Sequence, residues 1–242
     1  MINTVITSNS NKIYKELVKI KDNKYKDGQI LLEGEDLVNL AYSNNLLTKV
    51  ILLEGTLNTY SNIECIYLSR NLYKELSSYQ SIPKVIGLGK FKLTESIQEN
   101  KLVYLDGIQD PGNLGTIFRT CLAFNFNQIV LSKDCVSPFN FKCIQASKGS
   151  FMKLNVTYKD ISELKNDGYD VYVTSLDGQD LEKIEFNSKK YVICFGNEGQ
   201  GIKESTAKIA TKKIYIKMNR EIDSLNVGVS AGILLYKLSN IK

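Results

Sequence analysis

The stretch YVICFGNEGQGIKESTAKIATKKIYIKMNREIDSLNV, Tyr191 to Val227, decides the fold. Its apolar opening, Tyr191 to Phe195, is long enough for one buried strand, and Gly196-Asn197-Glu198-Gly199-Gln200-Gly201 breaks it. A glycine-dense turn after a buried strand lets another group approach the backbone closely, because no Cβ intervenes. Ile214 to Ile216 reads as a second short strand, and Ser224-Leu225-Asn226 stands at the mouth of a long apolar helix. Two loops after two strands, both on the carboxyl side, is how open α/β sheets hold their ligands. Read alone, the same loops serve equally well as ordinary strand-to-helix turns.

Working outward, Leu102 to Leu105 is a buried strand, Asp106 to Asn113 a turn-rich loop, and Leu114 to Phe124 a helix with Ile117, Cys121 and Phe124 on one face. Arg119 falls off that apolar stripe. Gln128 to Leu131 continues as strand. Ser137-Pro138 has the form of an N-cap followed by proline at N1, predicting a helix that ends near Gly149. Strands are expected at Phe151 to Val156 and Val171 to Thr174. The last helix carries Val227, Ala231, Leu234, Leu238 and Ile241 at alternating spacings of four and three. Strands alternating with helices imply a mostly parallel sheet. Residues 1–90 form a smaller alternating α/β unit, 91–98 read as a linker, and 99–242 as the second domain.

Composition bounds the function. The chain has 242 residues, 43% apolar and 24% charged, ordinary for a globular protein. No apolar run approaches the roughly 20 residues that span a bilayer, and the N-terminus lacks a signal-peptide core, so a cytoplasmic protein is expected. The net charge is +5, with Lys12, Lys15, Lys19, Lys21, Lys24 and Lys26 set against Glu16 and Asp22. That run is either a solvated face or an RNA contact. Five cysteines without a C-x-x-C pair read as reduced and mostly buried. There is no histidine, which argues against zinc and removes every mechanism built on an imidazole base.

Three constellations carry chemistry. Asn113, Gly115 and Arg119 combine a turn-fixing amide with an arginine whose planar fork suits a phosphate. The bland alternative is a helix cap and a surface arginine. The loop 196–201 with Glu198 has neither the G-x-G-x-x-G order nor a P-loop ending, so it suits a neutral or cationic ligand better than a phosphate. Ser224 and Asn226 could cap the last helix or face a ligand.

In order, NLGTIFRT (Asn113 to Thr120), FGNEGQGI (Phe195 to Ile202) and IYIKM with SLNVGVSAGILLY (Ile214 to Tyr236) resemble the three sequence blocks of the SpoU (TrmH-type) RNA 2′-O-ribose methyltransferases of the SPOUT superfamily. The resemblance covers about 99–242. ILLEGEDLV (Ile30 to Val38) is similar to the small substrate-binding domain of that family. The resemblance implies an α/β sheet with a C-terminal trefoil knot that holds S-adenosylmethionine, and a homodimer joined through the knot and final helix, where Gly228, Ser230, Ala231 and Gly232 would allow close approach. It implies cofactor contacts from Gly196, Ile216 and Leu225, and active-site positions at Asn113, Arg119, Glu198, Ser224 and Asn226, with no metal. The expected substrate is RNA, 23S rRNA before tRNA. The rivals are base-nitrogen methylation and a catalytically weak RNA-binding homologue. One departure stands in the third block, where the usual I-P-M is Ile216-Lys217-Met218.

Overall fold

The computed structural model describes residues 4–22, 28–219 and 221–240. Lys24, Lys26 and Ile241, named above, lie outside the described residues. The chain divides into two compact units, one of Met1–Lys92 with Phe139–Met152, the other of Leu93–Pro138 with Lys153–Lys242. The division therefore falls between Lys92 and Leu93, within the expected linker, and a segment expected in the second domain belongs to the first unit.

The first unit is a five-stranded sheet: β1 (Val5–Ile6), β2 (Gln29–Glu33), β3 (Leu47–Leu53), β4 (Glu64–Leu68) and β5 (Ile86–Lys90), in the order β1-β4-β3-β5-β2. β5 runs antiparallel to both of its partners, and the other pairs are parallel. Helices α1 (Lys12–Lys21), α2 (Glu35–Ser43) and α3 (Arg70–Leu76) cover it. Leu17, Ile20, Leu31, Ile51, Leu68 and Tyr73 form its core.

The sheet of the second unit has six strands, all parallel: β6 (Lys101–Asp106), β7 (Gln128–Leu131), β8 (Asn155–Tyr158), β9 (Asp170–Asp180), β10 (Tyr191–Gly196) and β11 (Lys212–Tyr215). Their order is β11-β9-β10-β6-β7-β8. The central strands β6, β7 and β10 are buried almost without break, as strands covered on both faces must be. From β6 the chain steps one way to β7 and β8, whereas β9, β10 and β11 fill the other side. The connections thus reverse between β6 and β10, and a crevice opens at the carboxyl ends of these strands. Helices α4 (Pro111–Ala123) and α8 (Val227–Ser239) pack on each other. Between them come α5 (Phe141–Ser147) of the first unit, α6 (Ile161–Asn166) and the short α7 (Glu204–Lys208), which the sequence pattern did not suggest.

Two local expectations fail for identifiable reasons. Ser137-Pro138 does not open α5, because Asn140 caps it instead, its Oδ1 accepting from Lys142 N at 2.9 Å. Phe151 to Val156 is not one strand. Ser150–Lys153 turns as a 3-10 helix, with Phe151 packed on Phe91 at 4.9 Å between ring centroids, and β8 starts only at Asn155. The apolar side chain is used for packing in the first unit, which the alternation of sequence cannot distinguish from a strand.

Candidate functional site

The site begins at the amino end of α4. Asp110 is the N-cap, its Oδ1 accepting from Asn113 N at 2.7 Å, and Pro111 occupies N1. Asn113 is therefore inside the first helical turn, neither a loop residue nor the cap. Its side chain is free to reach outward, and Nδ2 donates to Glu198 Oε1 at 3.0 Å. The same carboxylate accepts from Asp110 N at 3.1 Å and from Gln109 N at 3.2 Å. Backbone N–H groups at a helix start lack intrahelical partners and carry the positive end of the dipole, so an anion belongs there. Partial burial resists the charge on Glu198. The bonds from Asn113, Gln109 and Asp110 outweigh it and hold the carboxyl below its ordinary range.

The third block joins the first through Asn226. Its Oδ1 caps α8, accepting from Gly228 N at 2.9 Å and Val229 N at 3.3 Å, while its Nδ2 donates to Asn113 Oδ1 at 2.9 Å. Gly228 lies against Thr116 of α4, where an added Cβ would come 3.1 Å from the threonine methyl, and Ala231 is buried. These small residues thus serve packing between α4 and α8.

The glycine loop follows β10 directly. Asn197 and Gly201 exchange backbone hydrogen bonds of 2.9 Å in both directions, folding the loop back on itself. A Cβ on Gly196 would collide with the backbone of Gly201 and Ile202. Glycine is required there because the loop returns over it, a different reason from close approach of a ligand.

These segments enclose a cleft of about 860 Å³, within the range of small-molecule and cofactor sites. Gly196, Ile216 and Leu225 line it, as do Asn113, Glu198, Ser224 and Asn226. Arg119 does not. It lies six residues further along α4, turned about 120° from Asn113, exposed and without a hydrogen bond or ion pair among the described residues. Lys217 is exposed and outside the lining, so the charge that replaces the usual proline points away from the cleft. The wall that sequence reasoning missed is Val173 to Asp177, on the long strand β9. The one available signal was that Val171 to Thr174 ends at the same sheet edge as Tyr191 to Phe195.

Charge limits what the cleft can hold. Asp177, Glu198 and Asp223 line it, and no lysine or arginine does among the described residues. Asp177 is paired with Lys213 at 2.7 Å. Among the described residues the lining offers a phosphate no cation, whereas a sulfonium with an adenosyl group finds carboxylates together with the apolar Val173, Phe195, Ile214 and Leu225. The residues present fit S-adenosylmethionine.

Comparison with known proteins gives the family and the fold. The sequence pattern of the SpoU rRNA Methylase family matches residues 100–236. The 23S rRNA (guanosine(2553)-2′-O)-methyltransferase RlmP of Bacillus subtilis is 31% identical, over 96% of this chain and 98% of that protein. The 23S rRNA (guanosine-2′-O-)-methyltransferase RlmB of Coxiella burnetii is 28% identical over 92% and 87%. In fold, the AdoMet-bound rRNA methyltransferase from Sinorhizobium meliloti superposes with a TM-score of 0.84, at 24% identity over 97% and 96% of the two chains.

Proposed function

The chain belongs to the SpoU rRNA methylase family, and from that premise we propose that it methylates a ribose 2′-hydroxyl in 23S rRNA with S-adenosylmethionine as methyl donor. The observation that carries this reading is the convergence of Asn113, Glu198 and Asn226, one from each of three distant sequence blocks, on one cleft that no lysine or arginine lines among the described residues. Gly196, Ile216 and Leu225 would hold the cofactor, which when bound would supply an electrophilic methyl to the ribose oxygen, the carbon–sulfur electron pair remaining on sulfur and the hydroxyl proton passing to solvent or to an RNA phosphate.

The chain's contribution is positioning. Glu198 is ionised and held by three donors, so it fixes the start of α4 and is badly placed to take a proton. Arg119, the exposed cation on α4, clamps an RNA phosphate beside the ribose and stabilises the oxygen as it becomes anionic. Guanidinium, with a pKa above about 12, is a donor in this role, never the base. A ribose hydroxyl has a phosphate beside it whatever the base is, which favours ribose over base nitrogen as the target.

The family resemblance extends this reading to a trefoil knot formed by the chain after β10, a homodimer and a cytoplasmic location. Among the described residues no helix is long and apolar enough to cross a membrane. The dimer is supported by α8, where Val229, Ile233 and Tyr236 are 51%, 40% and 60% exposed along one face. A second copy of the chain is the partner that covers this stripe.

The deciding experiment is nuclease digestion of 23S rRNA after incubation with the protein and labelled cofactor, followed by mass spectrometry of the nucleosides. A 2′-O-methylated nucleoside is expected. Label on a base with the ribose unmodified rejects the reading.

A further inference from the structure

The glycine loop has both ends fastened to one buried residue. Gly196, where it starts, is the ladder partner of Asp106 at the end of β6. Lys203, where it ends, donates its backbone N–H to Asp106 Oδ2 at 3.0 Å. The ammonium of Lys203 lies 3.2 Å from Asp106 Oδ1, an ion pair outside hydrogen-bond geometry, so that oxygen is held by charge alone. The Asp106 side chain is 1% exposed. A carboxylate so buried is costly unless paired, and Lys203 is its counter-ion.

A second anchor lies alongside. Lys203 Nζ reaches Asp134 Oδ1 at 2.6 Å, and that oxygen also accepts from Ser132 Oγ at 2.7 Å. Ser132 Oγ in turn accepts from Gly107 N at 2.8 Å, and Gly107 O accepts from Asn197 Nδ2 at 2.8 Å. Lys203 thus ties together the chain leaving β6, the chain leaving β7 and the loop after β10. None of Asp106, Asp134 and Lys203 lines the cleft, whereas every residue from Gly196 to Ile202 does.

We propose that Asp106 and Lys203 are positioning residues that hold the loop 196–202 in its cofactor-binding shape, the Asp106 carboxylate fastening the loop's far end at Lys203 to the strand whose backbone pairs with its start at Gly196. The inference rests on the reading that this loop holds S-adenosylmethionine. The first half of the loop has its own anchors, Asn197 Nδ2 on Gly107 O and Glu198 on Asn113, Gln109 and Asp110, whereas Gly199 to Ile202 is fastened only by backbone bonds between Asn197 and Gly201 and the Asn197 side-chain bonds to Gly199 N and Gln200 N. Without its end clamp such a loop samples open shapes, and apparent affinity falls by the fraction of time the competent shape is lost.

The test uses the full chain and S-adenosylhomocysteine, the stable demethylated product of the cofactor, by isothermal titration, with amide hydrogen exchange as a second readout. In Asp106→Asn, which keeps an acceptor for the Lys203 N–H but no charge, competence falling to about a tenth weakens binding about tenfold. Amides of 197–203 should exchange faster while those of β6, β7 and β10 keep their wild-type rates. Lys203→Arg, which can restore the pair, should bind like wild type, and Lys203→Gln, which leaves the buried Asp106 carboxylate without its counter-ion, should weaken binding at least as much as Asp106→Asn. If Asp106→Asn does not fold, Lys203→Gln decides, since that side chain is 40% exposed and its loss leaves the backbone bond in place. Unchanged affinity and unchanged loop exchange in the folded variants overturn the proposal. Wild-type protein that takes up no S-adenosylhomocysteine counts against the methyltransferase reading, and the exchange arm, which needs no ligand, then judges the clamp by itself.

Discussion

Asn226 Nδ2 donates to Asn113 Oδ1 across 2.9 Å, joining residues 113 positions apart in the chain. The two amides continue into a relay. Asn113 passes its own Nδ2 to Glu198, and Asn226 uses its Oδ1 to cap α8. The starts of two helices and the glycine loop therefore share one hydrogen-bonded line along the cleft.

Two substitutions separate the jobs of Asn226. Asn226→Ser keeps a capping oxygen and removes the donor to Asn113, whereas Asn226→Ala removes both. Loss of the cap costs about 1 kcal/mol, so only the alanine variant should melt clearly below wild type. Both should lose methylation rate, because the Asn113 side chain is then held by Glu198 alone. Calorimetric melting with a turnover assay on the same preparations checks this. A serine variant with full activity would show that the bridge does not matter.

What was legible in the sequence follows from what kind of contact each feature makes. The parallel sheet and final helix could be read because continuous apolar runs and a spacing of four and three are local signals. Asn113, Arg119, Glu198, Ser224 and Asn226 stand out as three separate constellations, but only the resemblance of three blocks implies that they serve one site, since no spacing rule places Asn113 beside Asn226. Asp106 and Lys203 were passed over, because a buried ion pair at a loop's two ends leaves no periodic mark. Phe139 to Met152 was assigned to the wrong unit for a related reason. Its apolar residues show that the segment is buried, but not against which core.

The glycines of the loop are not equivalent. A Cβ on Gly196 meets the backbone of Gly201 and Ile202, which cannot move without opening the loop. At Gly199 the nearest atom to an added Cβ is Asn197 Oδ1 at 3.6 Å, ordinary contact. Gly196→Ala should abolish binding of S-adenosylhomocysteine, and Gly199→Ala should leave it within about threefold, or roughly 0.65 kcal/mol. Equal losses in the two titrations would show that loop shape is not the requirement.

Glu198 makes the stability of the site depend on pH in a defined direction. Its folded-state value is lowered from the ordinary 4.5, the bonds from Asn113, Gln109 and Asp110 overcoming the opposing effect of burial. A group depressed on folding contributes above its unfolded value and loses that contribution as pH falls through the folded one. The difference in melting temperature between wild type and Glu198→Gln should therefore be full at neutral pH and shrink below about pH 4.5. Thermal melts from pH 7 down to pH 3 test the sign. A difference that grows towards acid contradicts the assignment.

The exposed stripe on α8 gives a direct test of assembly. Ile233→Glu places a charge between Val229 and Tyr236, where a second copy would have to desolvate it. Sedimentation should show a dimer for wild type and a monomer for the variant, with folded-state circular dichroism retained. A variant that sediments as a dimer moves the interface elsewhere.

Arg119 carries the sharpest prediction because the fold does not use it. The side chain is exposed and makes no hydrogen bond or ion pair among the described residues, so its removal should change stability by less than about 0.5 kcal/mol. Nor does it line the cleft, so cofactor affinity should be unaffected. Its proposed work is done on the RNA phosphate and on the oxygen as it gains charge. Losing one preorganised donor to a developing anion costs a factor of about 10² to 10³ in turnover. Arg119→Ala should therefore show wild-type melting, wild-type binding of S-adenosylhomocysteine and a rate lower by that factor. Arg119→Lys keeps the charge but loses the planar fork, and should fall between the two. The split between binding and rate is the informative quantity. If cofactor affinity declines in step with turnover, Arg119 acts by shaping the cleft, and the clamp on phosphate is wrong.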